Sequence, residues 1–184
     1  MGSAVLTDAS AVALILRDGM FMFGLTLAAI WDAYARRIPN ALTASFAIVG
    51  LAIAAAGLAM ERSGIGTAVL SLFTGLLVWL PFYVFRMLGA GDVKLFAAAA
   101  AWLTPVATLR ASLYSALIGG VLGVIWFVRT RGLAFAAVRL GHVLAEPRQL
   151  REPLPVASGQ ARLPYGIAMS LGLLLEAWRI RYGR

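Results

Sequence analysis

The chain alternates long apolar runs with short polar breaks, and the run lengths predict about six membrane-spanning helices. A hydrocarbon core about 30 Å thick needs roughly 17 to 25 helical residues. The first run covers about Ser10 to Trp31, the second Ala41 to Met60 and the third Ile65 to Leu88, with Glu61-Arg62-Ser63-Gly64 as the turn between the last two. Pro39-Asn40 opens the second helix, since proline suits a first helical turn and restricts the residue before it. A continuous helix from Asp92 to Val128 would be about 55 Å long, nearly twice the membrane, so it must break. Thr104-Pro105 is the predicted break, giving a short fourth span of about Val93 to Leu103 and a fifth of about Leu109 to Val128. A span as short as the fourth fits a helix whose end opens into a polar cavity. The sixth span starts around Pro164-Tyr165-Gly166 and ends near Trp178.

Three details complete the pattern. Arg17 and Asp18 interrupt the first run and predict its outer end or an early turn at the interface, and no basic segment precedes that run to suggest a cleaved signal peptide. Gly119, Gly120 and Gly123 bring small-residue spacing to the fifth span and predict close helix packing. Between about 129 and 163 the chain turns polar. Arg139, His142 and Glu146 recur at spacings of three and four against Leu133, Phe135, Val138, Leu140 and Val143, the pattern of an interfacial amphipathic helix, and Pro147, Pro153 and Pro155 then mark a loop. One transmembrane domain over 1–184 is expected.

Composition agrees: 61% of residues are hydrophobic, 13% are charged and the mean hydropathy is +0.87, too little polar surface to coat a soluble globule of this size. The net charge of +8 does not indicate a nucleic-acid partner, because the basic residues are spread between apolar runs. They report orientation instead. Arg36, Arg37, Arg86, Lys94, Arg129, Arg131, Arg139, Arg148, Arg151 and Arg162 fall in the first, third and fifth connections, against only Arg62 and Arg110 in the second and fourth, which puts the odd connections in the cytoplasm. Both termini then lie outside, where Arg179, Arg181 and Arg184 run against the rule. With no cysteine, disulfides, thiolate metal sites and cysteine nucleophiles are excluded; with His142 as the lone histidine, so are histidine metal centres and triads, and no metal or cofactor is expected.

Against this background two acids stand out. Asp32 and Asp92 both fall at cytoplasmic ends of predicted spans, so distant positions come to one depth. A carboxylate at membrane depth costs about 2.5 to 3.5 kcal/mol on insertion scales, which points to chemistry. Two close carboxylates cannot both ionise readily: one would draw a proton from water attacking a carbonyl, and the other would polarise that carbonyl and protonate the leaving nitrogen. Gly89 and Gly91 flank Asp92 and allow a tight turn and a close approach to a substrate strand, while Lys94 sets the local field or meets a lipid phosphate. The same pair could serve a proton or ion path in a small transporter, or sit in a catalytically silent scaffold. Asp18, Glu61, Glu146, Glu152 and Glu176 are expected to be interface or loop charges, and Tyr165 and Trp178 interfacial aromatics.

Gly89-Ala90-Gly91-Asp92-Val93-Lys94-Leu95 resembles the Gly-x-Gly-Asp signature of type IV prepilin peptidases. Asp32 followed by Arg36-Arg37-Ile38-Pro39-Asn40 is similar to the motif around that family's first aspartate, and Leu163-Pro164-Tyr165-Gly166-Ile167-Ala168 to the segment opening its last helix. The resemblance implies that Asp32 and Asp92 are a catalytic pair supported by these motifs. It implies a substrate as well, the basic leader of a prepilin or pseudopilin, cut after a glycine at the cytoplasmic face of a bacterial inner membrane. The pilus or secretion assembly machinery and membrane lipid are the implied partners. Larger members carry a cysteine-rich zinc-binding domain and methylate the new N-terminus; this cysteine-free chain looks like the short, peptidase-only branch associated with Tad/Flp pili, without the methyltransferase.

Overall fold

In the computed structural model residues 2–35, 38–58, 64–131 and 165–183 are described, with side chains from residue 11 onward except Phe127, Thr130 and Arg131. They form six helices and no strand: α1 (Gly2–Ala35), α2 (Asn40–Ala55), α3 (Ile65–Val84), α4 (Ala90–Ala100), α5 (Pro105–Arg131) and α6 (Tyr165–Tyr182). The expected amphipathic helix and loop after Arg131 lie outside the described residues. By length and composition α1, α3 and α5 can each cross a membrane, over Ala11–Ala35, Ile65–Val84 and Pro105–Trp126, and α2 is a shorter apolar helix. The chain is an all-helical polytopic membrane protein.

The burial pattern shows the solvent for which these helices are built. α3 turns Ala68, Ser71, Gly75 and Trp79 inward, and leaves Leu70, Phe73 and Leu77 exposed. Apart from Trp79, small residues face neighbouring helices while large apolar ones face out, the arrangement expected where lipid removes any hydrophobic incentive to hide leucine.

Element boundaries follow local chemistry. Pro39, at φ −61° and ψ 136°, precedes α2, and its carbonyl accepts from the Leu42 and Thr43 amides at 3.1 and 3.3 Å. α2 stops at Ala55, short of the predicted Met60, because Gly57 takes φ +72° and Leu58 N–H closes back on the Ile53 carbonyl at 3.0 Å. α3 stops at Val84 rather than Leu88 for the same reason with a costlier residue: Arg86 sits at φ +59° and Met87 N–H reaches the Phe82 carbonyl at 2.8 Å. The predicted break before α5 is present, where Thr104 Oγ1 accepts from Ala107 N–H at 3.3 Å and Pro105 takes the first helical position.

The Arg17-Asp18 pair does not end α1, which runs through it. The two side chains pair with each other at 2.5 Å, Arg17 donates to the Leu58 carbonyl at 3.1 Å, and Asp18 accepts from Arg181 at 2.5 Å. Charges expected at an interface turn thus tie the ends of α2 and α6 to the middle of α1.

By chain contacts the molecule divides into two compact units, Met1–Ile118 with Pro164–Arg184, and Gly119–Leu163. The first holds α1 to α4, the start of α5 and α6; the second holds the rest of α5, including the Gly119–Gly123 stretch. In the first unit α4 is the central element: from Val93 to Ala100 every residue but Lys94 is buried, and it packs against α2, α3 and α6. Eleven residues span only about 17 Å, so it is a plug enclosed by longer helices. Beyond it Trp102 meets Phe21 and Phe46 with ring centroids 5.5 and 5.0 Å away, and its Nε1–H donates to the Phe46 carbonyl at 3.0 Å. The tightest small-residue contact joins α6 to α5, where Gly172 lies against Ser115 with no room for a Cβ.

Candidate active site

Both acids are held at helix N-termini, where amides lack intrahelical partners and the helix dipole favours negative charge. Asp32, near the end of α1, is buried, and its Oδ2 accepts from the Gly166 N–H in the first turn of α6 at 3.0 Å. A Cβ at Gly166 would stand 2.7 Å from that oxygen, so the carboxylate occupies the space a side chain would take. Asp92 lies in the first turn of α4, just ahead of the short apolar span, and its Oδ2 accepts from Gly89 N–H at 3.3 Å. Half of a capping box is formed, since Gly89 has no side chain to reciprocate.

Several contacts bring these ends together. A Cβ at Gly91 would rest 3.4 Å from that of Ile38, and Ile38 clusters with Ala28 of α1 and Leu95 of α4. Lys94 donates from Nζ to Asn40 Oδ1 at 3.2 Å, joining α4 to the start of α2. The Tyr165 ring meets the Trp79 ring edge-on at 5.9 Å, and Trp79 lies 5.5 Å from Phe96, one turn beyond Asp92. The two carboxylates interact across this space: burial first, then the Asp32 charge, push the Asp92 carboxyl up to about 6, against the opposing pull of the Gly89 N–H.

Of the residues singled out from sequence, Asp32, Asp92, Gly89, Gly91, Lys94, Pro39, Asn40, Tyr165 and Gly166 fall around this one region. Arg36, Arg37 and Pro164 lie outside the described residues. Between α2, α3 and α4 runs an adjoining groove of about 300 Å³, with Asn40, Thr43 and Lys94 at its polar positions and Ala44, Ala47, Leu72, Leu76, Ala97 and Ala98 along the rest.

Comparison with known families assigns the chain. The sequence model of the type IV leader peptidase family matches residues 19–124, more than half of the chain. The chain belongs to that family. It is therefore a membrane peptidase, and its class of substrate is prepilin-like. The matched segment of this leader peptidase contains both acids and stops before α6, so the Gly166 contact to Asp32 comes from the structure alone. No curated protein and no solved structure matches the chain.

Sequence reading missed two features. Trp79 and Phe96 looked like ordinary apolar residues of their runs, and only folding sets Trp79 between Phe96 and Tyr165. Glu176 was expected at an interface or in a loop; it is fully buried and pairs with Arg110 at 2.9 Å and Arg179 at 2.8 Å. Its spacing of three from Arg179 inside an apolar run was the available signal.

Proposed function

We propose that this leader peptidase is an aspartic endopeptidase in which Asp32 and Asp92 activate water together, removing the basic leader of a prepilin-type substrate after a glycine at the cytoplasmic face of a bacterial inner membrane. The observation that carries this reading is the placing of two acids at neighbouring helix N-termini, Asp32 buried and Asp92 half-buried, each accepting from a glycine amide and near enough for their charges to interact. With Asp92 pushed up to about 6, the pair readily holds one proton and one negative charge. The ionised member takes a proton from water as its oxygen attacks the scissile carbonyl carbon. The protonated member gives its proton to the leaving nitrogen as the C–N bond breaks, leaving a carboxylic acid, an amine and a pair ready for the next turnover. Water reaches the site because α4 is too short to seal it at membrane depth.

Membership of the Tad/Flp branch, action without methyl transfer and work alongside pilus or secretion assembly belong to the same proposal, supported by the absence of cysteine from this sequence. So does its organisation as one catalytic domain. The test is cleavage of a prepilin leader by purified protein in liposomes. Wild type should cut after the leader glycine, and Asp32→Asn and Asp92→Asn should each lose cleavage while still inserting. Cleavage by either variant would sink the two-aspartate assignment, and proton flux without cleavage by wild type would move it to an ion path.

A further inference from the structure

We propose that the Tyr165 hydroxyl is the donor that binds the scissile carbonyl oxygen beside the protonated aspartate, an assignment that rests on the peptidase reading above. Tyr165 is the first residue of α6, and the next residue, Gly166, gives its N–H to Asp32 at 3.0 Å. Through space its ring meets Trp79 edge-on at 5.9 Å, and Trp79 lies 5.5 Å from Phe96, which shares a face of α4 with Asp92 four residues earlier. One side chain is thus located from both directions, by the backbone that holds one acid and by the ring stack over the helix that carries the other. Asp92 is near enough for its charge to act on the phenol. Among the described residues nothing forms a hydrogen bond to the hydroxyl, and the ring is only partly buried, so the donor is free for a substrate.

The chemistry needs such a group. When water adds to the amide, the carbonyl oxygen gains negative charge before the C–N bond breaks, and the single proton of the aspartate pair is already destined for the leaving nitrogen. A tyrosine hydroxyl ordinarily keeps its proton to about pH 10, so it donates to that oxygen throughout and returns unchanged. Donors aimed at a developing oxyanion are worth about 10²- to 10³-fold in kcat. The ring stack holds the phenol in place beforehand, and its packing does not depend on the hydroxyl.

Full-length protein in liposomes, given a synthetic peptide with a basic leader, a glycine and an apolar helix, provides the test. Tyr165→Phe keeps the ring and should lower kcat about 10²-fold with KM and melting temperature unchanged. A fluorinated tyrosine at 165, similar in size and still a donor at about pH 5, should keep near-wild-type kcat there, where Tyr165→Phe has lost it. Wild-type kcat in Tyr165→Phe, or a fluorinated tyrosine as slow as Tyr165→Phe, overturns the assignment while the peptidase reading stands, provided Asp32→Asn is silent in the same assay. Absence of cleavage by wild type overturns the peptidase reading and this assignment with it.

Discussion

At Gly166 one missing carbon decides where Asp32 can sit. Gly166→Ala places a methyl within 2.7 Å of Asp32 Oδ2, so either the acid moves or α6 does. A displacement near 1 Å at a reacting group costs about 10²-fold, and kcat in the leader-cleavage assay should fall by about that factor with the protein still folded; a variant of wild-type rate would show that Asp32 is not held for catalysis. Asp92 supplies the matching prediction for pH. Because burial and the Asp32 charge raise it to about 6, it is protonated below that pH and ionised above it, so a mechanism needing its proton loses kcat/KM as pH rises through about 6. Asp32→Asn removes the second of the two raising causes. In that variant the Asp92 carboxyl should titrate below about 6 while burial keeps it above its ordinary 3.8, followed as the infrared C=O band of the protonated acid. A value that stays in place or climbs would mean that the two acids do not sense each other.

For whole elements, the contrast is between boundaries written locally and contacts written by packing. The proline start of α2 and the Thr104-Pro105 break are legible in the sequence because a proline and a capping hydroxyl act within a few residues. The end of α3 is not, because it depends on Arg86 adopting φ +59°, which sequence favours only for glycine, asparagine or aspartate. Asp32 and Asp92 were legible as costly acids at the ends of apolar runs. The Trp79–Tyr165 wall was not, since an aromatic in an apolar run gives no sign of which helix it will meet. Glu176 shows the same limit with charge, as a carboxylate two-thirds of the way along α6 gains its meaning from Arg110, 66 residues away. Breaking this cluster should reveal its weight. Arg110→Ala with Arg179→Ala strands a fully buried carboxylate and should destabilise the fold by about 3–5 kcal/mol, whereas Glu176→Leu should cost clearly less, because both arginines are 37% exposed and can reach water or headgroups. Equal losses in detergent unfolding would mean that the cluster does not behave as a buried ion pair.

Across the described residues of α1 and α6, two polar clusters stand well apart. Asp32 and Asp18 are fourteen residues apart on α1, about 21 Å along the axis, and both are met by α6, by Gly166 at its start and by Arg181 near its end. That separation bears on the orientation problem. Arg179 and Arg181, which oppose the positive-inside rule when counted as a tail, belong to the last turn of α6 and pair with Glu176 and Asp18. Ion pairs inside the fold thus give these two arginines a structural role apart from orientation. Because the chain has no cysteine, labelling of single cysteines reads the orientation directly. In intact spheroplasts an impermeant maleimide should label Gly64→Cys and Thr104→Cys, and should label Met87→Cys only after permeabilisation. The reverse pattern would place the aspartate end of the bundle outside the cell, on the side away from any basic leader still held in the cytoplasm, and a leader peptidase could not then act before its substrate is exported.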